Sequence, residues 1–250
     1  MCGRYALYGP YDLGDPRIVE GWVEHIRNPL EGFAARYNMA PSQSLPVLRL
    51  HEGVPRIEPM RWGLLPHWAK DTRAGYSTIN ARIEGLTTKP AFRDAWRRGQ
   101  RCLVPATGWY EWRELAPKRK QPYFFSSADG LNPMMFAGLW SRWRNPDDGM
   151  PIDSYTILTG NALGVVAELH DRQPHVLAPE AWRQWLEAPV ADALAMLEPA
   201  SLPVRYHAVG TAVGNVRNDD ARLVDPVPAP APAIGQGEWD FCAGDADSEG

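Results

Sequence analysis

Apolar positions follow two rhythms along the chain. Ile18, Val19, Trp22, Val23 and Ile26 recur at helical spacing, and Pro179-Glu180 opens a run whose Trp182, Trp185 and Leu186 share one face. A third helix is predicted from Pro90 to Arg98. Most other apolar runs are short and bounded by Pro, Gly or Asn: Leu45 to Leu50, Arg101 to Val104, Tyr123 to Phe125, Met134 to Trp140 and Tyr155 to Thr159. These read as strands. Strands without regularly alternating helices predict an α+β fold, an antiparallel β-sheet or irregular barrel core with a few helices packed on it. The pattern does not order the strands.

The rhythm stops at Pro226. Beyond it the chain reads PVPAPAPAIGQG and then an acidic end, too poor in apolar periodicity to fold, so residues 1–225 are expected to form one domain and 226–250 a disordered tail. The 250 residues are 44% hydrophobic, enough for a substantial core. No run of about eighteen apolar residues occurs, and Arg4, Asp12, Asp15, Arg17 and Glu20 interrupt the beginning where a signal peptide would be apolar. A soluble cytoplasmic protein without a membrane partner is therefore expected. Cys2, Cys102 and Cys242 are odd in number and unrelated in spacing, which argues against a disulfide framework and a cysteine zinc site. No metal or cofactor is called for, and nothing suggests an obligate oligomer.

Charge and aromatic content sharpen the picture. The net charge of -4 hides an uneven distribution, because the tail holds five acids and no Lys or Arg, leaving the body at +1. Residues 82–120 carry ten Lys or Arg against four acids, which suits either a solvated surface or a phosphate backbone. Most of the eleven tryptophans are expected in the core. In RWGLLPHW, however, Trp62, Pro66 and Trp68 lie beside turn residues, where they could act as a wedge or platform for unpaired bases.

The amino terminus offers unusual chemistry. Removal of Met1 would leave Cys2 with a free α-amine and a thiol, a pair that condenses with an aldehyde first to an imine and then to a thiazolidine. The α-amine, with an ordinary pKa of about 8, is partly neutral and nucleophilic near neutrality. Gly3 permits close backbone approach to a ligand, and Arg4 could bind phosphate.

The segments MCGRY (1–5), RYNMAPSQ (36–43), RWGLLPHW (61–68), INAR (79–82), CLVPATGWYEW (102–112), LTGNA (158–162), HDRQPHVL (170–177) and AVGNVRND (212–219) resemble, in order, the SOS-response-associated peptidase family of abasic-site processing proteins. The resemblance spans nearly all of residues 1–225. It implies a single β-rich domain, a basic groove for single-stranded DNA and a pocket where Cys2 meets an abasic deoxyribose. It also implies self-processing peptidase activity that removes Met1, and nucleoid association when bound to DNA. Cys2, Asn80, Glu111 and His170 carry over as the active site, and Arg4, Arg82 and Arg172 as phosphate ligands. Two departures occur: Gln173 stands where Met or Arg is usual, and Pro90 occupies a position basic in some relatives, so Lys89 or Arg93 would supply that charge.

The resemblance implies a chemical division of labour. Abasic deoxyribose is mainly a closed hemiacetal, and opening it needs proton transfer. Glu111, among Trp109, Tyr110 and Trp112, should have a raised pKa and exchange a proton, with His170 as a second shuttle. Asn80 could accept from the Cys2 amine and donate to an incoming oxygen. Two alternatives stand beside this: a Cys-His or amino-terminal-nucleophile peptidase, which uses the same residues differently, and a non-catalytic single-stranded DNA-binding protein, in which the aromatic and basic groups act and Cys2 is incidental.

Overall fold

The computed structural model describes residues 2–13, 21–198 and 203–229. Thirteen strands occur among these residues. They are β1 (Tyr5–Leu7), β2 (Arg36–Met39), β3 (Ser44–His51), β4 (Val54–Trp62), β5 (Asn80–Arg82), β6 (Arg101–Ala106), β7 (Gly108–Ala116), β8 (Arg119–Ser127), β9 (Met134–Arg144), β10 (Pro151–Asn161), β11 (Arg172–Pro174), β12 (Val176–Leu177) and β13 (Val204–Ala208). The helices are α1 (Val23–Glu31), α2 (Arg93–Arg97), α3 (Pro179–Glu187) and α4 (Val190–Ala195).

The expected α+β class holds. Strands β10, β4, β3, β6 and β9 close into a five-stranded barrel, because β10 pairs with both β4 and β9. A second sheet runs β13-β8-β7-β1-β2. All strand pairings are antiparallel except those of β10 with β4 and β5. β10 is the hub, with Asn80 and Arg82 of β5 opposite Ile157 and Thr159, and Arg172 of β11 opposite Asn161.

Aromatic packing joins the two sheets. Tyr5 of β1 lies edge-on to Trp62 of β4 with ring centroids 5.0 Å apart, and its hydroxyl shares a 2.6 Å hydrogen bond with that of Tyr155. Trp109 stacks on Phe125 at 5.0 Å. Gly108 opens β7 because there is no room for a side chain: a Cβ there would lie 2.3 Å from the Phe124 ring and from the Phe125 carbonyl oxygen. Beside the barrel, Gly63 has φ +109° and its backbone meets that of Gly75 so closely that a Cβ would fall 2.4 Å from the Gly75 oxygen. This contact locks the loop after β4 to the turn over Thr72–Ser77.

The helices correct the periodic reading at their boundaries. Ile18 and Val19 lie outside the described residues, and α1 starts at Val23 and runs on to Glu31, burying Ile26 and Leu30 one turn apart. α3 follows the prediction, with Pro179 in the first turn and Trp182, Trp185 and Leu186 buried. The predicted third helix shrinks to Arg93–Arg97. The domain also reaches slightly past 225, since the Val227 amide still donates to the Ala208 carbonyl at 2.9 Å. Residues 230–250, most of the expected tail, lie outside the described residues. No helix among the described residues is long and apolar enough to cross a membrane.

Candidate active site

Strand pairing brings the amino terminus to the GWYEW strand. Tyr5 opposes Trp109 and Ala6 opposes Gly108, and the Tyr110 amide donates to the Arg4 carbonyl at 3.0 Å. Continued by two residues, this antiparallel register sets Gly3 opposite Glu111, with Cys2 just beyond. Asn80 approaches from β5 and donates from Nδ2 to the Cys2 carbonyl at 2.7 Å. Its Oδ1 is buried without a hydrogen-bond partner. Asn80 therefore anchors the Cys2 backbone through its amide nitrogen and leaves its amide oxygen as an unused acceptor.

His170 completes the cluster from the turn before β11. Its Nε2 lies 3.8 Å from Glu111 Oε2, and the Arg172 amide donates to its Nδ1 at 2.9 Å. The Asp171 carboxylate is also 2.9 Å from Nδ1, but it is largely exposed, whereas a backbone N–H can only donate. The amide thus favours the tautomer with the hydrogen on Nε2, toward Glu111, against the pull of the Asp171 carboxylate toward a hydrogen on Nδ1. Burial is the leading cause that pushes the Glu111 carboxyl up to about 7, as the sequence anticipates. Burial also lowers the His170 imidazole below its ordinary value. At pH 7 a carboxyl that is about half protonated thus faces an imidazole whose charged form is disfavoured.

Cys2 is fully buried in the chain that retains Met1. Burial, reinforced by the nearby Glu111, drives its thiol far above the ordinary range, and Sγ contacts the Arg4 carbonyl at 3.7 Å. Gly3 is half-buried beside it.

Three expected DNA contacts are corrected. Trp62 is fully buried in the core and donates from its indole to the Ile79 carbonyl at 2.9 Å, because its place at the end of β4 turns the ring inward. Pro66 is buried as well. Arg172 leaves only 8% of its side chain exposed, and its guanidinium pairs with Glu84 at 2.7 and 3.0 Å. A guanidinium so enclosed is not presented to a phosphate.

The remaining candidates lie at the surface. Trp68 is 53% exposed, and Arg82, Lys89 and Arg93 are exposed along residues 82–93. Arg4 is half-buried and donates to Asn38 Oδ1 at 2.7 Å and to the Val213 carbonyl at 2.9 Å. Asn38 and Asp219, which received no role from the sequence, tie the RYNMAPSQ and AVGNVRND segments together. Asn38 Nδ2 donates to the carbonyls of Val213, Asn215 and Asn218, and Asp219 accepts from the amides of Tyr37 and Asn38. Their motifs mark scaffold, and only the fold distinguishes them from chemistry. No group of three or more His, Cys, Asp or Glu suited to a metal occurs among the described residues.

Comparison with known proteins identifies the family. A model of the SOS response associated peptidase (SRAP) family matches residues 1–216. The abasic site processing protein YoqW of Bacillus subtilis is 33% identical over 229 residues, covering 90% of this chain and 99% of its own. The abasic site processing protein YedK of Escherichia coli is 34% identical, covering 91% of this chain and all of its own. A crystal structure of a protein from Bacteroides thetaiotaomicron superposes with a TM-score of 0.71 at 20% identity, over 90% of this chain and all of the other, a likeness of fold.

Proposed function

The chain belongs to the SOS response associated peptidase family, and on that premise we propose that it captures abasic sites in single-stranded DNA as a covalent crosslink through Cys2. The relatives named abasic site processing proteins support the substrate class. The observation that carries the chemistry is the meeting of Cys2, Asn80, Glu111 and His170 at one point, from four separate stretches of chain.

The reaction begins with hydrolysis of the Met1–Cys2 bond, in keeping with the family name, which frees the Cys2 amine. The abasic sugar opens from hemiacetal to aldehyde as Glu111 and His170 move protons between its oxygens. The amine adds to the aldehyde carbon, and loss of water gives an imine. The thiol then adds across the carbon-nitrogen double bond: sulfur bonds to carbon, the thiol proton ends on nitrogen, and the five-membered thiazolidine closes. The aldehyde and the aminothiol together yield the thiazolidine and one water, with no oxidant or cofactor.

Exposed Arg82, Lys89 and Arg93 would hold phosphates, Arg4 a further one at the mouth, and Trp68 would stack on a base. These contacts tolerate any sequence. Access favours a single strand, because a duplex would have to open to present the sugar.

A cysteine peptidase acting on other proteins is less well supported. Such an enzyme needs a thiolate beside an imidazolium, whereas here burial raises the thiol and lowers the imidazole. An amine-first reaction has no such requirement.

The deciding experiment incubates protein lacking Met1 with single-stranded DNA bearing one abasic site and runs a denaturing gel. A heat-stable crosslink is expected with the wild type. Cys2→Ala and Cys2→Ser should each bind the DNA without a heat-stable crosslink, giving at most an imine that borohydride traps. A heat-stable crosslink from Cys2→Ala would sink the proposal and favour a plain single-stranded DNA-binding protein.

A further inference from the structure

Glu84 is an acid two residues beyond Arg82, where a surface meant for phosphates would exclude negative charge. Its carboxylate instead grips Arg172 in a bidentate pair, Oε1 to Nη1 at 2.7 Å and Oε2 to Nη2 at 3.0 Å. The remaining contacts of the same guanidinium go to Asn161 Oδ1 at 2.7 Å and to the Thr159 carbonyl at 2.5 Å. Glu84 stands in the short turn Ile83–Gly85 directly after β5, and Arg172 opens β11, so the pair bridges two strands that both flank β10.

We propose that Glu84 is a positioning residue that, through Arg172, holds the His170 imidazole with its Nε2–H turned to Glu111. The inference rests on reading His170 and Glu111 as the pair that handles protons. Arg172 is fixed at both ends: the side chain by Glu84 and β10, the backbone amide by its hydrogen bond to His170 Nδ1. That amide selects the tautomer, and a tautomer selects which nitrogen can deliver a proton. Without the carboxylate, the enclosed guanidinium keeps only neutral partners and must shift toward water to solvate its charge. Shifting Arg172 moves the amide and releases the ring. Glu111 and Asp171 are the acids facing that ring, and Asp171, 2.9 Å from Nδ1, favours a hydrogen there, so loss of the amide donor tips the ring toward the opposite tautomer.

The test labels histidine with nitrogen-15 in wild type, Glu84→Ala, Glu84→Gln and Glu84→Asp, and reads the His170 tautomer by NMR. In parallel, DNA affinity and the crosslinking rate at saturating abasic DNA are measured across pH. In the wild type the hydrogen should sit on Nε2. Glu84→Ala and Glu84→Gln should give mixed tautomers, a displaced pH profile and a rate at saturating DNA lower by roughly tenfold, with DNA bound no more weakly, because each removes a negative charge beside the phosphate row, and Glu84→Asp should recover part of each. Glu84→Gln covers the case in which the alanine variant does not fold. A wild-type tautomer and rate in either folded variant would overturn the proposal, as would weaker DNA binding with the tautomer intact, which would make the pair a DNA contact. If the wild type itself forms no crosslink, the functional reading fails, while the tautomer comparison still decides the role of Glu84.

Discussion

Asn80 holds the Cys2 carbonyl at 2.7 Å with its amide nitrogen while its amide oxygen, buried, accepts nothing. A buried acceptor left unmatched costs about 1–3 kcal/mol, a penalty that a free amine at Cys2 or a sugar hydroxyl would relieve. Asn80→Ala removes the anchor and the unmatched oxygen together, so its effect on stability should stay within about 1 kcal/mol. Crosslinking should nevertheless slow by at least about tenfold, since the nucleophile loses its placement. Thermal melts and single-turnover gels separate the two effects. Equal losses of stability and rate would contradict the assigned role.

Glu111 ties stability to pH. Its carboxyl sits at about 7 in the fold against 4.5 in a free side chain. Between those values the folded protein keeps a proton that the unfolded chain has released, so stability is lost as pH rises through about 7. The displacement corresponds to roughly 3 kcal/mol. Glu111→Gln should match the wild type in acid and melt higher above neutrality, yet crosslink far more slowly. A melting difference that does not change with pH would refute the assignment.

Two tryptophans of one motif should behave oppositely. Trp62→Ala opens a hole in the barrel wall and should cost about 3–5 kcal/mol, read from denaturant midpoints. Trp68→Ala should leave stability within about 0.5 kcal/mol and weaken single-stranded DNA binding by about 1–3 kcal/mol, read by fluorescence anisotropy.

Salt dependence tests the phosphate row. Arg82→Ala should reduce the slope of log affinity against log salt by about one, equally for strands of any sequence. Arg172→Gln should leave the slope unchanged, because the native guanidinium is already committed to Glu84.

Much was legible in the amino-acid sequence because periodicity and chemistry are local properties. Short bounded apolar runs announced β3, β6, β9 and β10, the spacing of Trp182, Trp185 and Leu186 announced α3, and a Glu set among three aromatics announced a carboxyl with a raised pKa. Likewise, Cys2, Asn80, Glu111 and His170 could be named from their motifs, though their distances from one another could not.

Direction and partnership were decided only by the folded chain. A motif does not say which way a side chain points: the turn at Gly63 sends Trp62 inward and leaves Trp68 in water, though only five residues separate them. Nor does charge in a sequence say what it will pair with. Arg172 looks like a phosphate ligand until β10 brings Glu84 across to it, since an ion pair between residues 88 apart exists only once the strands between them are paired.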